Sequence, residues 1–473
     1  MTAPTLPDRR AGAEALLRPL AAQVPGLASA LDEELTARHI EQTLLVPGGQ
    51  VHWVTPGAFW YRPDGSCSFR YRVAVSAGTA EVTEHTVLAR VYPSDEVADR
   101  CLTGEVLGPA PHAAPPFPWR RWTTTRVAPR ITLYLFPADP AHPTLARAMD
   151  LAALRGEDWP CKDVVPISVE LVHLSRQGAP VLRYGVRRTG STPTSPSSQV
   201  YGKIYPDTTT GEHVHRFLRS CARPGRIQIP TPLGYGAGLN LLLTDALPGQ
   251  PVLPSIVRTA GRVGMDSPTT PTGGSARDTV RSTGRALAAL HQSQQATAPV
   301  QTPRQLARDL DIELNLVQQV WPRTADRVRS LLDRLSTKSE GSAQVLCHGD
   351  FTPSQVLIDG HTVCGIVDFD TVCWGDAAMD LGRFLAHLDL LVTKELGQSA
   401  QPLREHLAHS LLAGYRDVFG VAGVDQSLLG RAALFRSMSL ASTALHACRQ
   451  LKERRMSLAL SLLSTAKNGR TTS

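Results

Sequence analysis

With 473 residues, 42% of them hydrophobic and 19% charged, the chain has the composition of a globular protein with room for two or three domains. Collagen, coiled coil and wholesale disorder are excluded. The formal charge of +7 is spread along the chain with no Lys/Arg block, so no nucleic-acid partner is expected, and a mildly basic surface suits anionic nucleotides.

The opening residues, Met1 to Arg10, are polar, and no apolar signal-type region follows them. No run approaches the about 18 to 20 apolar residues that a membrane span needs, so a cytoplasmic protein without a membrane partner is expected. Residues 1–150 form an N-terminal extension. Residues 160–260 read as short strands, with a polar insert at Thr189 to Ser198 between two β-like runs. Residues 261–277 hold S-P-T-T-P-T-G-G-S, a breaker-rich linker. Residues 278–466 are dominated by helical periodicity: Arg277 to Gln292 places Val280, Leu287 and Leu290 near one face, and further helices are expected over Arg304 to Leu335, Pro402 to Val418 and Gln426 to Leu463. A β-rich half followed by a helix-rich half predicts a two-lobed α+β fold. The eight cysteines are scattered without a C-x-x-C pair, which argues against a zinc site and a disulfide scaffold.

The chain also matches itself. Gly65, Arg70, Tyr71, Val73, Val87, Tyr92 and Pro93 recur as Gly178, Arg183, Tyr184, Val186, Val200, Tyr205 and Pro206, all 113 residues later. One ungapped offset predicts a duplication whose first copy, with Arg90 where the second has Lys203, is non-catalytic.

The chemistry is concentrated in Gln344 to Leu388. An apolar run, Val345 to Cys347, leads into His348-Gly349-Asp350; a second, Val356 to Ile358, turns at Asp359-Gly360; a third, Val363 to Val367, ends at Asp368. Two carboxylates at strand ends, bracketed by a β-hairpin, suit phosphoryl transfer, in which one orients the attacking hydroxyl and another holds Mg²⁺.

H-G-D-F, the I-V-D strand end and G-D-A-A-M-D-L together resemble the signature of the aminoglycoside phosphotransferase and choline-kinase-like family. The resemblance spans roughly Ile167 to Leu388. It implies a bilobal protein-kinase-like fold, here with an additional N-terminal α+β domain, a degenerate repeat of the β-rich N-lobe. It further implies Asp350 as catalytic base, Asp368 as Mg²⁺ ligand, His348 as a brace of the loop, and Asp376 and Asp380 as anchors of the following helix. Where the family carries Asn five residues after the catalytic Asp, this chain has Gln355, whose amide oxygen is the second expected metal ligand, displaced by one methylene.

On the nucleotide side, Lys203 in the strand-like V-Y-G-K-I-Y corresponds to the lysine that pairs with ATP phosphates, and Glu212 is the nearby candidate partner. Leu241 to Ala246 resembles the strand-to-hinge segment, so Thr244 and Ala246 are expected beside adenine. The phosphate loop is expected at Arg176 to Pro180. ATP and Mg²⁺ are therefore the expected cofactors, and a small-molecule hydroxyl the expected acceptor. A Ser/Thr-containing peptide acceptor and a weakly active nucleotide-binding pseudokinase are the alternatives. Aminoglycoside-binding relatives tend to present acidic pockets, and the many arginines of this helical region give no such signal.

Overall fold

The computed structural model describes residues 10–78, 81–102, 115–123, 128, 130–155, 159–174, 179–192, 196–221, 228–256, 273–293, 297–333, 343–420 and 424–465. Most of the expected linker, and Arg176 to Gly178 of the expected phosphate loop, lie outside them. The chain divides into two units, one of Met1–Glu212, Pro232–Asp245 and Cys448–Glu453, the other of His213–Thr231, Ala246–Ala447 and Arg454–Ser473.

The first unit opens with helices α1 (Arg10–Gln23), α2 (Leu27–Leu31) and α3 (Glu33–Thr43). Asp32 starts α3 by accepting the Leu35 amide at 2.9 Å, which satisfies one of the donors a helix start leaves unpaired. An antiparallel sheet follows, with strands β1 (Gly49–Tyr61), β2 (Cys67–Ala77), β3 (Thr83–Val91) and, after helix α4 (Asp95–Leu102), β4 (Ile131–Leu135), paired in sequence order. Beyond helix α5 (Leu145–Ala148) a second antiparallel sheet is built from β5 (Val164–His173), β6 (Val181–Arg188), β7 (Ser198–Ile204), β8 (Pro232–Gly236) and β9 (Leu241–Asp245), in the order β5-β6-β7-β9-β8; helix α6 (Thr208–Cys221) follows β7, its residues from His213 assigned to the second unit.

The self-match in the sequence is a repeat of structure. Ser68 faces Arg90 and Tyr71 faces Val87 across β2 and β3; Val181 faces Lys203 and Tyr184 faces Val200 across β6 and β7, the same register 113 residues on. Helices α4 and α6 begin at that offset, and β4 lies beside β3 as β9 lies beside β7. Leu145, Ala148 and Leu154, from the segment between the sheets, are buried against Leu182, Tyr184 and Leu241. Tyr184 Oη donates to the Ala148 carbonyl at 2.7 Å, Thr144 Oγ1 to the Leu239 carbonyl at 2.7 Å, and Arg70 Nη2 to the Leu174 carbonyl at 2.5 Å.

The second unit is mainly helical. It contains the short β10 (Gln250–Pro251), α7 (Gly273–His291), α8 (Pro303–Val320), α9 (Pro322–Leu332), strands β11 (Gln344–Cys347), β12 (Val356–Asp359), β13 (Thr362–Ile366) and β14 (Cys373–Asp376), then α10 (Ala377–Leu396) and α11 (Gln401–Phe419). Helices α12 (Gln426–Arg449) and α13 (Glu453–Thr465) close the described chain. Two of the expected long helices are divided. Pro322 opens α9 after Trp321 has left helical geometry, because proline offers no amide to continue the ladder. Leu451, at φ +55°, separates α12 from α13. The mixed α+β character expected of the chain is thus present, with its β-rich and helical parts in that order.

Candidate active site

The strand before the His-Gly-Asp turn does not join the hairpin, contrary to the simple bracket expected. β11 pairs antiparallel with β14, while β12 and β13 form the hairpin. One sheet therefore delivers His348, and the other carries the chain to Asp368.

The turn between them is held from below by one carboxylate. Asp380, fully buried on the first turn of α10, accepts the His348 amide at 2.7 Å and the Gly349 amide at 2.9 Å. His291, at the end of α7, is bonded to the same carboxylate through Nε2 at 3.1 Å and to the Tyr415 hydroxyl through Nδ1 at 2.8 Å. Burial alone would raise the Asp380 pKa, but the His291 hydrogen bond and charge, with His348, hold it below the usual carboxylate value. The ligand atoms of His291, Cys347 and Asp380 lie within 4.8 Å of one another, yet these hydrogen bonds already employ both imidazole nitrogens and both carboxylate oxygens. Gly349 has φ +82°, and a Cβ there would stand 2.0 Å from the Thr371 carbonyl oxygen.

His348, buried, donates Nε2–H to the Val367 carbonyl at 2.9 Å and thereby ties the turn to the residue before Asp368. Its ring is 4.8 Å from Phe369 and 5.8 Å from Phe351 between centroids. Phe217 beyond Phe369, at 5.3 Å, and Phe384 beyond Phe351, at 5.4 Å, complete a column of five rings. Such packing fixes the loop by burial of ring area. Asp376 caps α10 through the Ala378 amide at 3.0 Å and is paired with Arg431 at 2.7 Å.

On this support Asp350 is partly exposed. Its Oδ1 accepts from Arg383 Nη1 at 2.5 Å, and its Oδ2 accepts from Gln355 Nε2 at 3.2 Å. Gln355 is buried, and its Oε1 accepts the Thr352 amide at 2.9 Å and the Thr352 hydroxyl. A backbone N–H can only donate, which fixes the oxygen toward Thr352 and the NH₂ toward Asp350. The amide oxygen expected to meet a metal is therefore engaged in a capping box. Asp368 is exposed and adopts φ +72°, a left-handed conformation that Asp tolerates better than most residues.

Arg383 and His387, one turn apart on α10, were not anticipated from the sequence. The only available signal was their four-residue spacing on a helix that Asp376 and Asp380 were already expected to anchor. Burial is the main cause that lowers the His387 pKa to about 4; Asp350 pulls it up, while Arg383 and Arg455 push it down.

In the first unit, Lys203 lies on β7 opposite Val181 and Leu242, with Nζ 5.9 Å from the centroid of the Tyr205 ring. Glu212 is exposed on α6, and among the described residues no ion pair joins it to Lys203. Thr244 is paired with Tyr201 near the end of β9. In the second unit, Ala246, exposed, follows that strand.

Loop, hairpin and buried aspartate occur in the order that the sequence resemblance ascribes to phosphotransferases. Residues 194–421 match the family model described as the phosphotransferase enzyme family. The match includes Lys203, Glu212, Thr244, Ala246, Asp350, Gln355 and Asp368, and leaves outside the first sheet, β5, β6 and the expected phosphate loop. Methylthioribose kinase of Bacillus velezensis is 30% identical over 101 residues, 21% of this chain, and the chain spans only about a quarter of the length of that curated relative. Among solved structures, the GDP complex of aminoglycoside 2'-phosphotransferase-IIIa aligns over 64% of this chain and 93% of its own at 16% identity and a TM-score of 0.41. A macrolide 2'-phosphotransferase from Brachybacterium faecium aligns over 67% and 97% at 18% identity and 0.40. A choline/ethanolamine kinase family protein from Mesorhizobium loti aligns over 68% and 98% at 18% identity and 0.41. Among the described residues no helix is long and apolar enough to cross a membrane.

Proposed function

We propose that the chain is an ATP- and Mg²⁺-dependent phosphotransferase that moves the γ-phosphoryl group to a hydroxyl of a small molecule. The observation that carries this reading is Asp350 itself, a partly exposed carboxylate on a loop whose backbone is fixed from beneath by Asp380. In the proposed reaction the acceptor oxygen bonds to γ-phosphorus, the bond to the β-phosphate oxygen breaks, Asp350 takes the acceptor proton, and ADP leaves. Two hydrogen bonds leave a carboxylate with further lone-pair capacity for that hydroxyl.

Lys203 is proposed to pair with nucleotide phosphates, with Glu212 as its candidate acidic partner, and Thr244 and Ala246 to flank the base. Mg²⁺ commonly needs only one or two protein carboxylates beside waters and phosphates, so Asp368 fits as its ligand; the ion would neutralise charge on the transferred group. Gln355, with its oxygen spent on Thr352, fits better as a positioning residue for Asp350 than as a ligand. Arg383 and Arg455 around His387 favour an acceptor that is neutral or negatively charged over a polycation.

Mg²⁺-dependent ATP hydrolysis and nucleotide binding, measured without any acceptor, test the reading. Asp350→Asn is expected to reduce turnover roughly 10²- to 10⁴-fold and to leave nucleotide binding in place. A wild type that binds no nucleotide sinks the proposal. The engaged oxygen of Gln355 favours one second reading, a nucleotide-binding module of low turnover. A silent wild type that gains turnover in Gln355→Asn would establish it.

A further inference from the structure

Beside Asp350, α10 presents Arg383 and His387 one turn apart, and α13 brings Arg455 near enough to His387 to repel its protonated form. Gln398, two residues beyond the end of α10, donates Nε2–H to Ser461 Oγ of α13 at 3.2 Å and ties the two helices.

The three side chains differ in what already occupies them. Arg383 Nη1 is spent on Asp350 at 2.5 Å. His387 is partly exposed and, with its pKa lowered to about 4, neutral near pH 7, so it adds no charge. Arg455 is exposed on the first turn of α13, and among the described residues its guanidinium joins no ion pair and no hydrogen bond. Asp389, the next acid along α10, is buried and already accepts from Arg436 Nε at 2.5 Å. Burial nevertheless lowers the Arg455 pKa, as it does that of His387. A charge that touches solvent and is still penalised by the protein around it lines a recess, not a convex surface.

We propose that this recess receives the carboxylate of a hydroxycarboxylic acid, gripped by the Arg455 guanidinium, while the hydroxyl of the same molecule lies against Asp350. The charges that act on His387 are two guanidinium groups, Arg383 and Arg455, and one carboxylate, Asp350, which leaves an excess of one positive charge. A carboxylate accepts two parallel hydrogen bonds from the planar fork of a guanidinium and supplies the single negative charge that balances the excess. A phosphate monoester, close to doubly negative at neutral pH, would overshoot it. The inference rests on the phosphotransferase activity proposed above, because only a hydroxyl acceptor sets the ligand against Asp350.

The probes are short hydroxycarboxylic acids, each set beside its primary amide and a phosphate monoester of the same carbon frame. The full chain is treated with phenylglyoxal in the presence of each, and the modified arginines are mapped by mass spectrometry. At least one acid is expected to slow modification of Arg455 fivefold or more, its amide to give no protection, and the phosphate ester to protect less than the acid. Calorimetric titration of that acid into Arg455→Gln should show a Kd raised at least tenfold over wild type. Protection by no acid, equal protection by the amide, or an unchanged Kd in Arg455→Gln overturns the proposal. Stronger protection by the phosphate esters overturns the carboxylate assignment and gives the recess to a phosphorylated alcohol. Neither readout needs ATP. A protein that binds an acid at Arg455 but no nucleotide fails only the catalytic reading, and one that binds nucleotide but none of the acids fails only this one.

Discussion

His387 shows how one side chain can report on the loop without taking part in chemistry. Its pKa falls to about 4 because burial and two arginines outweigh the pull of Asp350. A histidine depressed in the folded state binds its proton more readily when unfolded, so the contribution to stability is complete above the ordinary value near 6.5. It is lost progressively as pH falls from there toward 4. Thermal unfolding of His387→Gln followed over that range should show a flatter dependence on pH than wild type; an equal slope would assign the acid sensitivity to other groups. His348, Asp350 and Asp368 were legible in the sequence because their spacing is local and each closes an apolar run. Arg383, His387 and His291 were not, because only the folded helices bring them to the loop. Gln355 was legible as a departure, but which of its amide atoms would face Asp350 depended on a backbone amide three residues away.

Helices α7 and α11 cross where each carries a glycine. A Cβ on Gly284 would lie 2.0 Å from the Leu411 carbonyl oxygen, and one on Gly414 would lie 1.9 Å from that of Arg281. Backbones this close leave no flexible side chain to move aside, so the helices themselves would have to separate. Gly414→Ala is expected to cost about 1–3 kcal/mol, the usual range for overpacking, in denaturant unfolding. No loss of stability would mean that the crossing yields. Helical periodicity located α7 and α11 well, but it overran Pro322 and Leu451, where one residue's backbone geometry ended a helix that the apolar pattern would have continued.

Across the whole chain, the duplicated sheet was readable because β2, β3, β6 and β7 keep one offset. The correspondence of β4 with β9 was not, since their starts differ by 110 residues and an ungapped comparison passes over them. The segment that joins the sheets also escaped notice, lacking any motif, although Leu154 is buried within the second sheet's core. Leu154→Ala should therefore cost roughly 2–5 kcal/mol in thermal or denaturant unfolding, as expected for a core leucine; a cost below 1 kcal/mol would show that the site collapses around the loss.

Two copies of one sheet would ordinarily be expected to open one at a time, as neighbouring repeats do. Here Arg70 of the first sheet bonds the Leu174 carbonyl just after β5, and the segment between the sheets is tied to the second by Tyr184 on Ala148 and Thr144 on Leu239, so disorder in either sheet strips partners from what lies between or beyond it. The boundary between the two sheets is interior. Cooperativity follows: amides in β2 and β6 should exchange with solvent deuterium through a common opening, with the same free energy and the same response to denaturant, whereas distinct openings would show that the copies still unfold independently.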